Sequence, residues 1–408
     1  MNLSYRIAVR YFFSRNKRSF ISLIARIAMA GVAVGTMALV VVLSVFNGME
    51  DLNRSIFRTF DADVTITPLA GKRFKVSAPL LRSIQGVEGV KLVTQVIEDN
   101  ALAHYAGQQT IIKLKGVDST YAERNQLDTA IIEGSMQLYG PNGTPYAIIS
   151  EGIRNALSIS LQDIIIPLEL WYPKSNTRAI NLNSTDAFNQ IAVRPGGVFF
   201  IETRYDDYVI VPIKVAEALL GYHSERSSLE IQIKPGYTEA GVSQRISSVL
   251  GAKFIVKDRD SMNADLLRAI GVEKLFVTIT LSFIILVAGI NIFFSLSMLA
   301  IEKKKDIMML YTMGATPLLV KKIFLTEGAI VAFTGAGFGI LSGIAICWAQ
   351  IQFGLVSMGM VSSLVDAYPV KLIWNDIFMA GAIIVMITLA VSYVPAQRAA
   401  KPAEPGRL

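Results

Sequence analysis

Few residues in this sequence combine the types and spacing that catalysis or metal binding requires. The two histidines, His104 and His223, have no cysteine or second histidine at ligand spacing, and the single cysteine, Cys347, stands apart from both. We therefore predict no metal site. The chain contains neither the G-x-S-x-G motif of a hydrolase nor the G-x-x-x-x-G-K-[ST] loop that binds ATP. These observations predict a protein that is not an enzyme and that binds no cofactor of its own.

The remaining candidate for function is a binding segment, "IEKKKDIMMLYTMGATP" at 301–317, which lies between two apolar stretches. Its charged residues are followed by an apolar stripe at helical spacing. The stripe comprises Ile307, Leu310, Tyr311 and Gly314. Gly314 suits the end of this helix, Thr316 suits the cap of the next helix, and Pro317 suits its first turn. A solvated turn with incidental periodicity is the alternative, but such a turn has no reason to carry three methionines. We predict a short helix that binds a partner.

Four apolar stretches are long enough to cross a membrane, because about 20 helical residues span about 30 Å of hydrocarbon. The predicted spans are residues 20–48, 272–300, 318–350 and 373–395. Buried core helices are the alternative, and four such stretches in one chain argue against it. Three glycines of the third span recur every four residues, which favours close packing with a neighbouring helix. They are Gly335, Gly339 and Gly343. We also predict an amphipathic helix on the membrane surface at 1–19 and a tail at 396–408.

The distribution of charge predicts the orientation of the spans. Residues 49–271 hold 23 Lys and Arg against 25 Asp and Glu, so the net charge of +7 comes from the rest of the chain. Basic residues cluster before the first span, in 301–322 and after the fourth span. This is the positive-inside pattern and not the basic surface of a nucleic-acid-binding protein. We predict that both termini and 301–317 are cytoplasmic, and that 49–271 and the short loop 351–372 lie on the other side.

The domain between the first two spans reads as a mixture of α and β structure. Residues 60–118 and 227–260 both have β-α-β patterns that could form one split α/β subdomain, with 119–226 inserted as a β-rich subdomain. Residues 172–190 are polar and rich in turn formers, which fits either an ordinary exposed hairpin or an arm that grips a partner. Helical spacing continues beyond the first span and predicts a shaft that leaves the membrane. The predicted fold class is a membrane protein with four transmembrane α-helices and a large α+β extracytoplasmic domain inserted after the first.

Three stretches of the chain resemble the lipoprotein-releasing (Lol-type) ABC transporter permeases, within the wider group of MacB/FtsX-like permeases. "FISLIARIAMAGVAVGTMALVVVLSVFNGMEDLNRSI" is similar to that family's first span and shaft. "EKKKDIMMLYTMGAT", followed by "IFLTEG", resembles its coupling helix and the start of its third span. "VPAQRAAKPAE" resembles its C-terminal tail, although the chain then ends in "PAEPGRL" where the family continues further.

The resemblance implies a permease in the bacterial inner membrane that dimerises with itself or with a sister permease. It would bind two copies of a separate ATPase, which uses ATP and Mg. Closure of the ATPases would push the coupling helices, and the first two spans would relay this movement to the periplasmic domain. The implied cargo is a lipoprotein, which would leave the membrane without a channel and pass to a periplasmic carrier. Membrane lipids are the other expected contacts, and no nucleic acid is expected.

The resemblance also suggests residues for each role. The ATPase-coupling residues would be Glu302, Lys303, Lys304, Asp306, Ile307, Leu310, Tyr311, Met313 and Gly314. Acyl chains of the cargo would enter between the first two spans, at Val41, Val45, Phe46, Met49, Phe276, Ile279 and Phe283. The carrier-binding arm would include Trp171, Tyr172, Pro173, Lys174 and Arg178.

Two other functions fit the same fold. One is a MacB-like efflux permease for peptides or toxins, and the other is an FtsX-like mechanical signalling protein that controls a cell-wall hydrolase. The four predicted spans carry no charge at the middle of the membrane, which argues against conduction of ions or polar solutes. The size of the external domain and its candidate arm favour lipoprotein release over signalling.

Overall fold

The computed structural model describes residues 6, 7, 10, 20–124, 127–140, 142–163, 165–174, 187–358 and 367–401. The helices in chain order are α1 (Phe20–Phe60), α2 (Ala78–Gln85), α3 (Glu151–Leu157), α4 (Ile213–Leu220), α5 (Glu239–Leu250), α6 (Arg259–Met262), α7 (Ala264–Glu302), α8 (Lys304–Thr312), α9 (Pro317–Phe353) and α10 (Trp374–Ala399). The strands are β1 (Val64–Pro68), β2 (Phe74–Lys75), β3 (Val90–Tyr105), β4 (Gln108–Val117), β5 (Ile131–Gly134), β6 (Tyr146–Ser150), β7 (Leu168–Pro173), β8 (Phe188–Phe199), β9 (Tyr208–Pro212), β10 (Glu225–Arg226), β11 (Ser228–Ile233) and β12 (Phe254–Asp258).

Residue contacts divide the chain into a helical unit and a sheet unit. The division falls between Leu52 and Asn53 in α1 and between Leu267 and Arg268 in α7. The sheet unit is formed by the chain between these two points. The predicted surface helix at 1–19 lies outside the described residues except for residues 6, 7 and 10, and so does the tail beyond residue 401.

The helical unit contains α8 and four helices that are long and apolar enough to cross a membrane. These candidate spans are Ile24–Phe60, Ala264–Glu302, Pro317–Phe353 and Trp374–Ala399. Three of them are much longer than the roughly 20 residues that a bilayer requires, so their helices extend beyond the apolar stretches. The extension of α1 reaches Phe60 without interruption. The four spans together with the mixed sheet of the other unit confirm the predicted fold class.

The sheet unit is built on one ten-stranded sheet. Along the sheet the order is β12-β1-β11-β3-β4-β9-β6-β8-β5, and β7 pairs with β3 and β8. The two segments predicted as halves of a split subdomain pair directly, because Val64 of β1 lies opposite Ile231 of β11 and Asp258 of β12. Strands β5 to β9 of 119–226 join the same sheet through the parallel pair β4–β9 and the antiparallel pair β3–β7, whereas β10 pairs with β2 in a separate two-stranded sheet. The β4–β9 pairing satisfies the edge of β4 that a separate subdomain would leave open.

Alternating residues of β1 and β11, near one edge of the sheet, form a core beneath two amphipathic helices. This core contains Val64, Ile66, Leu229 and Ile231 from the strands, Ile84 from α2, and Val242 and Ile246 from α5. A side-chain cap begins each helix: Ser77 accepts from the amide of Leu80, and Thr238 accepts from the amide of Gly241. The helices therefore present their apolar faces to the sheet at defined positions.

A buried ionic cluster joins distant segments inside this unit. Glu230 of β11 lies 2.7 Å from Lys115 of β4, and it also accepts a hydrogen bond from Arg124. All three side chains are almost fully buried. Burial works to raise the pKa of Glu230, but the two neighbouring cations outweigh it and lower that pKa. The stabilisation that this carboxylate provides is therefore present at neutral pH and is lost as the pH falls through the lowered value.

We predict that Glu230→Gln destabilises the sheet unit by about 3–5 kcal/mol, because it removes the charged carboxylate that both buried cations contact. Hydrogen exchange in the full-length protein measures the local loss of stability. The backbone amides of β4 and β11 should exchange about a hundredfold faster, or more, than in the unmodified protein. Glu88→Gln is the control, because Glu88 is exposed and forms a long ion pair of 3.8 Å with Arg245. Equal exchange rates in the two variants would contradict a structural role for the cluster.

Candidate functional site

The segment at 301–317 forms the predicted short helix. α7 ends at Glu302, and α8 occupies Lys304–Thr312. Gly314 follows with φ of +90°, a left-handed conformation that glycine adopts without steric cost. Thr316 caps α9 by accepting from the amide of Leu319, and Pro317 is the first residue of that helix. The predicted helix and the predicted roles of Gly314, Thr316 and Pro317 are confirmed.

One side of α8 packs against the ends of three membrane helices. Ile307 is buried in a cluster with Leu299 of α7, Val320 and Phe324 of α9, and Ala396 and Ala400 of the segment that ends α10. The hydroxyl of Tyr311 donates a hydrogen bond of 2.9 Å to the carbonyl oxygen of Ala400. Two of the nine predicted coupling residues, Ile307 and Tyr311, therefore face the chain's own core and hold α8 in place.

The other side of α8 is exposed and combines apolar and charged residues. Met308, Met309 and Met313 are 52%, 58% and 80% exposed. Among the other predicted coupling residues, Glu302, Lys304 and Gly314 are also exposed, whereas Lys303, Asp306 and Leu310 are half-buried. Lys303 lies 3.8 Å from Glu302 and 3.7 Å from Asp306. The surface that α8 leaves for a partner is thus centred on its methionines, and the coupling role of these residues stays a prediction.

Sequence reasoning missed the residues to which α8 is attached. Val320 and Phe324 are four residues apart and lie on one side of α9, but within an apolar span this spacing carries no signal of its own. Ala396 and Ala400 are small residues in the segment that was read only as a tail. Their role becomes visible once α10 is seen to continue to Ala399.

The glycines of α9 lie against α1. A Cβ added at Gly339 would be 2.5 Å from the carbonyl oxygen of Ala33 and 2.5 Å from Cβ of Thr36. Gly335 and Gly343 meet α1 in the same way, at Val32 and Val40 respectively. These glycines let the two backbones approach closely, so dispersion contacts hold α1 and α9 together.

α7 also contacts α1, but with residues other than those predicted for the acyl cavity. Ile285 and Ala288 of α7 lie against Gly35 and Gly31 of α1. Phe276, Ile279 and Phe283 are between 57% and 65% exposed. Because two residues turn a helix by about 200°, Phe283 lies on the opposite side of α7 from Ile285.

On α1, the other four predicted cavity residues are half-buried. They are Val41, Val45, Phe46 and Met49. The cavity prediction therefore concerns a surface that α7 leaves open, and it stays a prediction.

A polar link connects three membrane helices near one end of the unit. Lys274 of α7 donates to Asp376 of α10 at 2.7 Å and to Asn47 of α1 at 2.8 Å. The amide of Asn47 also donates to Asp376, at 2.8 Å. The three side chains form hydrogen bonds with one another. These bonds offset the cost of partly burying a charge pair beside the hydrocarbon region. The sequence pattern did not indicate this link, because each residue alone resembles an ordinary interfacial residue.

The candidate arm begins as part of the sheet. β7 and β8 pair from Leu168 to Pro173, and Trp171 stacks on His104 with ring centroids 5.5 Å apart. The hydroxyl of Tyr172 donates to Asp99, and burial together with that carboxylate raises the pKa of Tyr172 to about 12. Trp171 and Tyr172 are thus held by the sheet. Pro173 and Lys174 are exposed, whereas Arg178 lies outside the described residues. The carrier-binding role stays a prediction.

The two glycines Gly339 and Gly337 provide a matched test of helix packing in α9. Gly339→Ala should destabilise the protein by about 1–3 kcal/mol, because the new methyl group collides with the backbone of α1. Gly337→Ala meets nothing within 4 Å and should be neutral or stabilising by up to about 1 kcal/mol. Thermal unfolding of the detergent-solubilised protein measures both effects. Equal shifts in the two variants would exclude close α1–α9 contact at Gly339.

Charge reversal tests the polar link. Lys274→Asp places two carboxylates beside each other and should lower the unfolding temperature, whereas the double variant Lys274→Asp, Asp376→Lys should recover most of the loss. Lys371→Asp is the control, because the Lys371–Asp51 pair is half-exposed on both sides and contributes little. A double variant that is no more stable than Lys274→Asp would show that the ion pair does not hold the helices.

Two family descriptions match this chain. Residues 26–249 match the MacB-like periplasmic core domain, and residues 278–403 match the FtsX-like permease C-terminal region. Among solved structures, the extracellular domain of the noncanonic ABC-type transporter YknZ from Gram-positive bacteria has 17% identity and a TM-score of 0.34, covering 48% of this chain and 99% of its own. The periplasmic region of MacB from Actinobacillus actinomycetemcomitans has 11% identity and a TM-score of 0.36, covering 52% and 94%.

Curated relatives extend the similarity to nearly the whole length. The lipoprotein-releasing system transmembrane protein LolC of Neisseria meningitidis is 26% identical, with 98% of this chain and 97% of that protein covered. The lipoprotein-releasing system transmembrane protein LolE of Haemophilus influenzae is 23% identical, with 98% of each covered. The match to the MacB-like core domain spans more than half of the sequence. The chain belongs to the MacB/FtsX-like permease superfamily, and over nearly its whole length it is similar to the lipoprotein-releasing LolC and LolE proteins.

Proposed function

We propose that this chain is the permease subunit of an ABC transporter that extracts lipoproteins from the inner membrane and passes them to a periplasmic carrier. The observation that carries the proposal is the attachment of α8: one side is packed against three helix ends, and the opposite side presents methionines to a partner. ATP hydrolysis takes place in that partner, because the sequence has no nucleotide-binding loop.

The attachment makes α8 suitable as a lever. A push on α8 acts on the ends of α7, α9 and α10 together, because Ile307 and Tyr311 connect it to all three. Packed side chains transmit displacement with little compression. α1 and α7 each continue as a single helix from the helical unit into the sheet unit, which supports a relay of that movement along the helices.

The exposed face of α8 has the composition of a docking surface. Methionine side chains are flexible and polarisable, so they adapt to a groove on a partner protein. An exposed apolar surface of this kind outside the membrane marks a protein contact. The surrounding charges of Glu302 and Lys304 would set the orientation of the docked partner. The proposed partner is an ABC ATPase, two copies of which serve a permease dimer.

The proposed cargo surface is apolar. Phe276, Ile279 and Phe283 leave a row of large side chains on one side of α7. A lipid anchor consists of acyl chains, which need an apolar lateral surface and no polar pore. The names of the relatives, which describe lipoprotein-releasing systems, support this cargo. We further propose that both termini and α8 are cytoplasmic, as the basic clusters indicate, and that the segment after Trp171 contacts the carrier.

Charged substitutions on the methionine face test ATPase docking. Met309→Glu, Met313→Glu should reduce co-purification of the ATPase at least about tenfold, because the variant places carboxylates in an apolar contact. Membrane insertion should not change, since both residues are solvent-exposed. Leu69→Glu is the matched control, as Leu69 is an equally exposed apolar residue in the sheet unit. Normal recovery of the ATPase with the double variant would refute docking at α8.

Transfer of cargo separates the proposed function from the alternatives. The permease and its ATPase are reconstituted in vesicles with a fluorescent lipoprotein, and a soluble carrier is added with ATP. Appearance of the lipoprotein in the soluble fraction supports release. ATP turnover without transfer would favour a mechanical signalling protein, and transfer of soluble peptides would favour efflux.

A further inference from the structure

A pocket lies in the helical unit where α7, α8 and the end of α10 meet. Its volume is about 430 Å³, within the range of small-ligand sites. The wall contributed by α7 includes Ala300 and Ile301, α8 contributes Met308 and Tyr311, and the end of α10 contributes Arg398. The hydrogen bond from Tyr311 to Ala400 closes one side of the pocket. Three of the predicted coupling residues, Lys304, Ile307 and Tyr311, also border this cavity, but no role described above assigns it a ligand.

Three cations surround the pocket. Lys304 begins α8, Arg398 lies in the last turn of α10, and Lys401 follows that helix. Two neighbouring carboxylates, Glu302 at the end of α7 and Asp306 of α8, lie beside Lys303 instead. Within the described part of the chain, none of the three pocket cations forms an ion pair with an acidic residue. Three converging cations without a counter-ion favour an anion that carries more than one acceptor oxygen.

Part of the pocket wall is apolar. Ile301, which is 69% exposed, forms part of the wall, and it belongs to the long apolar helix α7. The hydroxyl of Ser297 in the same wall has no hydrogen-bond partner in the described part of the chain. A ligand that fills this site therefore needs an anionic group for the cations and a hydrocarbon part for the apolar wall.

We propose that this pocket binds an anionic phospholipid of the adjacent leaflet. The phosphate would contact Arg398, Lys401 and Lys304, and one acyl chain would follow Ile301 along α7. Basic pockets between membrane helices bind lipid headgroups in this way. An acidic surface of the ATPase would satisfy the cations equally well but would leave the apolar wall at Ile301 exposed to water. The lipid satisfies both halves of the site, so the observations favour it.

Native mass spectrometry of the full-length protein, titrated with phosphatidylglycerol or phosphatidylcholine, measures the binding. The unmodified protein should prefer phosphatidylglycerol. The variant Arg398→Gln, Lys401→Gln should bind phosphatidylglycerol at least about tenfold more weakly, with phosphatidylcholine binding unchanged. Lys305→Gln, Lys322→Gln is the matched control, because it removes two cations from the same end of the helical unit that do not line the pocket. This control should retain the preference.

Several outcomes would overturn the lipid site. Equal losses of phosphatidylglycerol binding in the two double variants would mean that any reduction of positive charge at this end of the protein weakens lipid binding. Displacement of phosphatidylglycerol by inorganic phosphate would mean that the site recognises a free anion and that the acyl chain is irrelevant. Loss of ATPase co-purification with an unchanged lipid preference would identify the pocket as a protein contact. The lipid measurement requires neither cargo nor ATPase, so its failure is independent of the proposed transport function.

Discussion

The contact of α8 with the helix ends is the interaction on which the proposed function of the helical unit depends. Burying one isoleucine side chain contributes about 1.5–3 kcal/mol, and the hydrogen bond from Tyr311 to Ala400 adds about 1 kcal/mol. These are modest energies, but they fix which side of α8 faces inward. They thereby place the methionines outward, and they close the basic pocket at the end of α10. Without the contact at Ile307, neither surface would have a defined shape.

Polar groups inside this protein connect segments that are distant in the sequence. Glu230 joins β11 to β4 and to Arg124, and Lys274 joins α7 to α10 and α1. In both places each charge has a partner, and removing one partner would leave another charge buried without compensation. Apolar contacts hold the elements together with little directional preference. The ionic links also fix how the strands and helices are aligned with one another, because only one alignment pairs all the charged groups.

The sequence allowed accurate prediction wherever a local signal sufficed. Helical spacing and the residues Gly314, Thr316 and Pro317 located α8 and its ends, and hydropathy located the four spans. The direction of Tyr311 was not predictable, because an apolar stripe does not indicate whether it faces a partner or its own chain. The parallel pairing of β4 with β9 was missed for a related reason: it joins strands about 100 residues apart, and alternation within a strand identifies a face but no neighbour. Lys274 likewise gave no signal of its distant partners.

The arrangement of contacts also indicates which helix can transmit movement. Residues 29–40 of α1 lie closely against the glycines of α9, where even a methyl group at Gly339 would collide with the backbone of α1. α7 is held by Lys274, by Leu299 in the α8 cluster and, between them, by Ile285, Ile292 and Leu296 in the core of the helical unit. One side of α7 meets α1 at Ile285, and the opposite side carries the exposed residues Phe276, Ile279 and Phe283. Under the proposed function, displacement of α8 acts directly on α7 through Leu299, and α7 also carries the surface proposed to hold the lipid anchor.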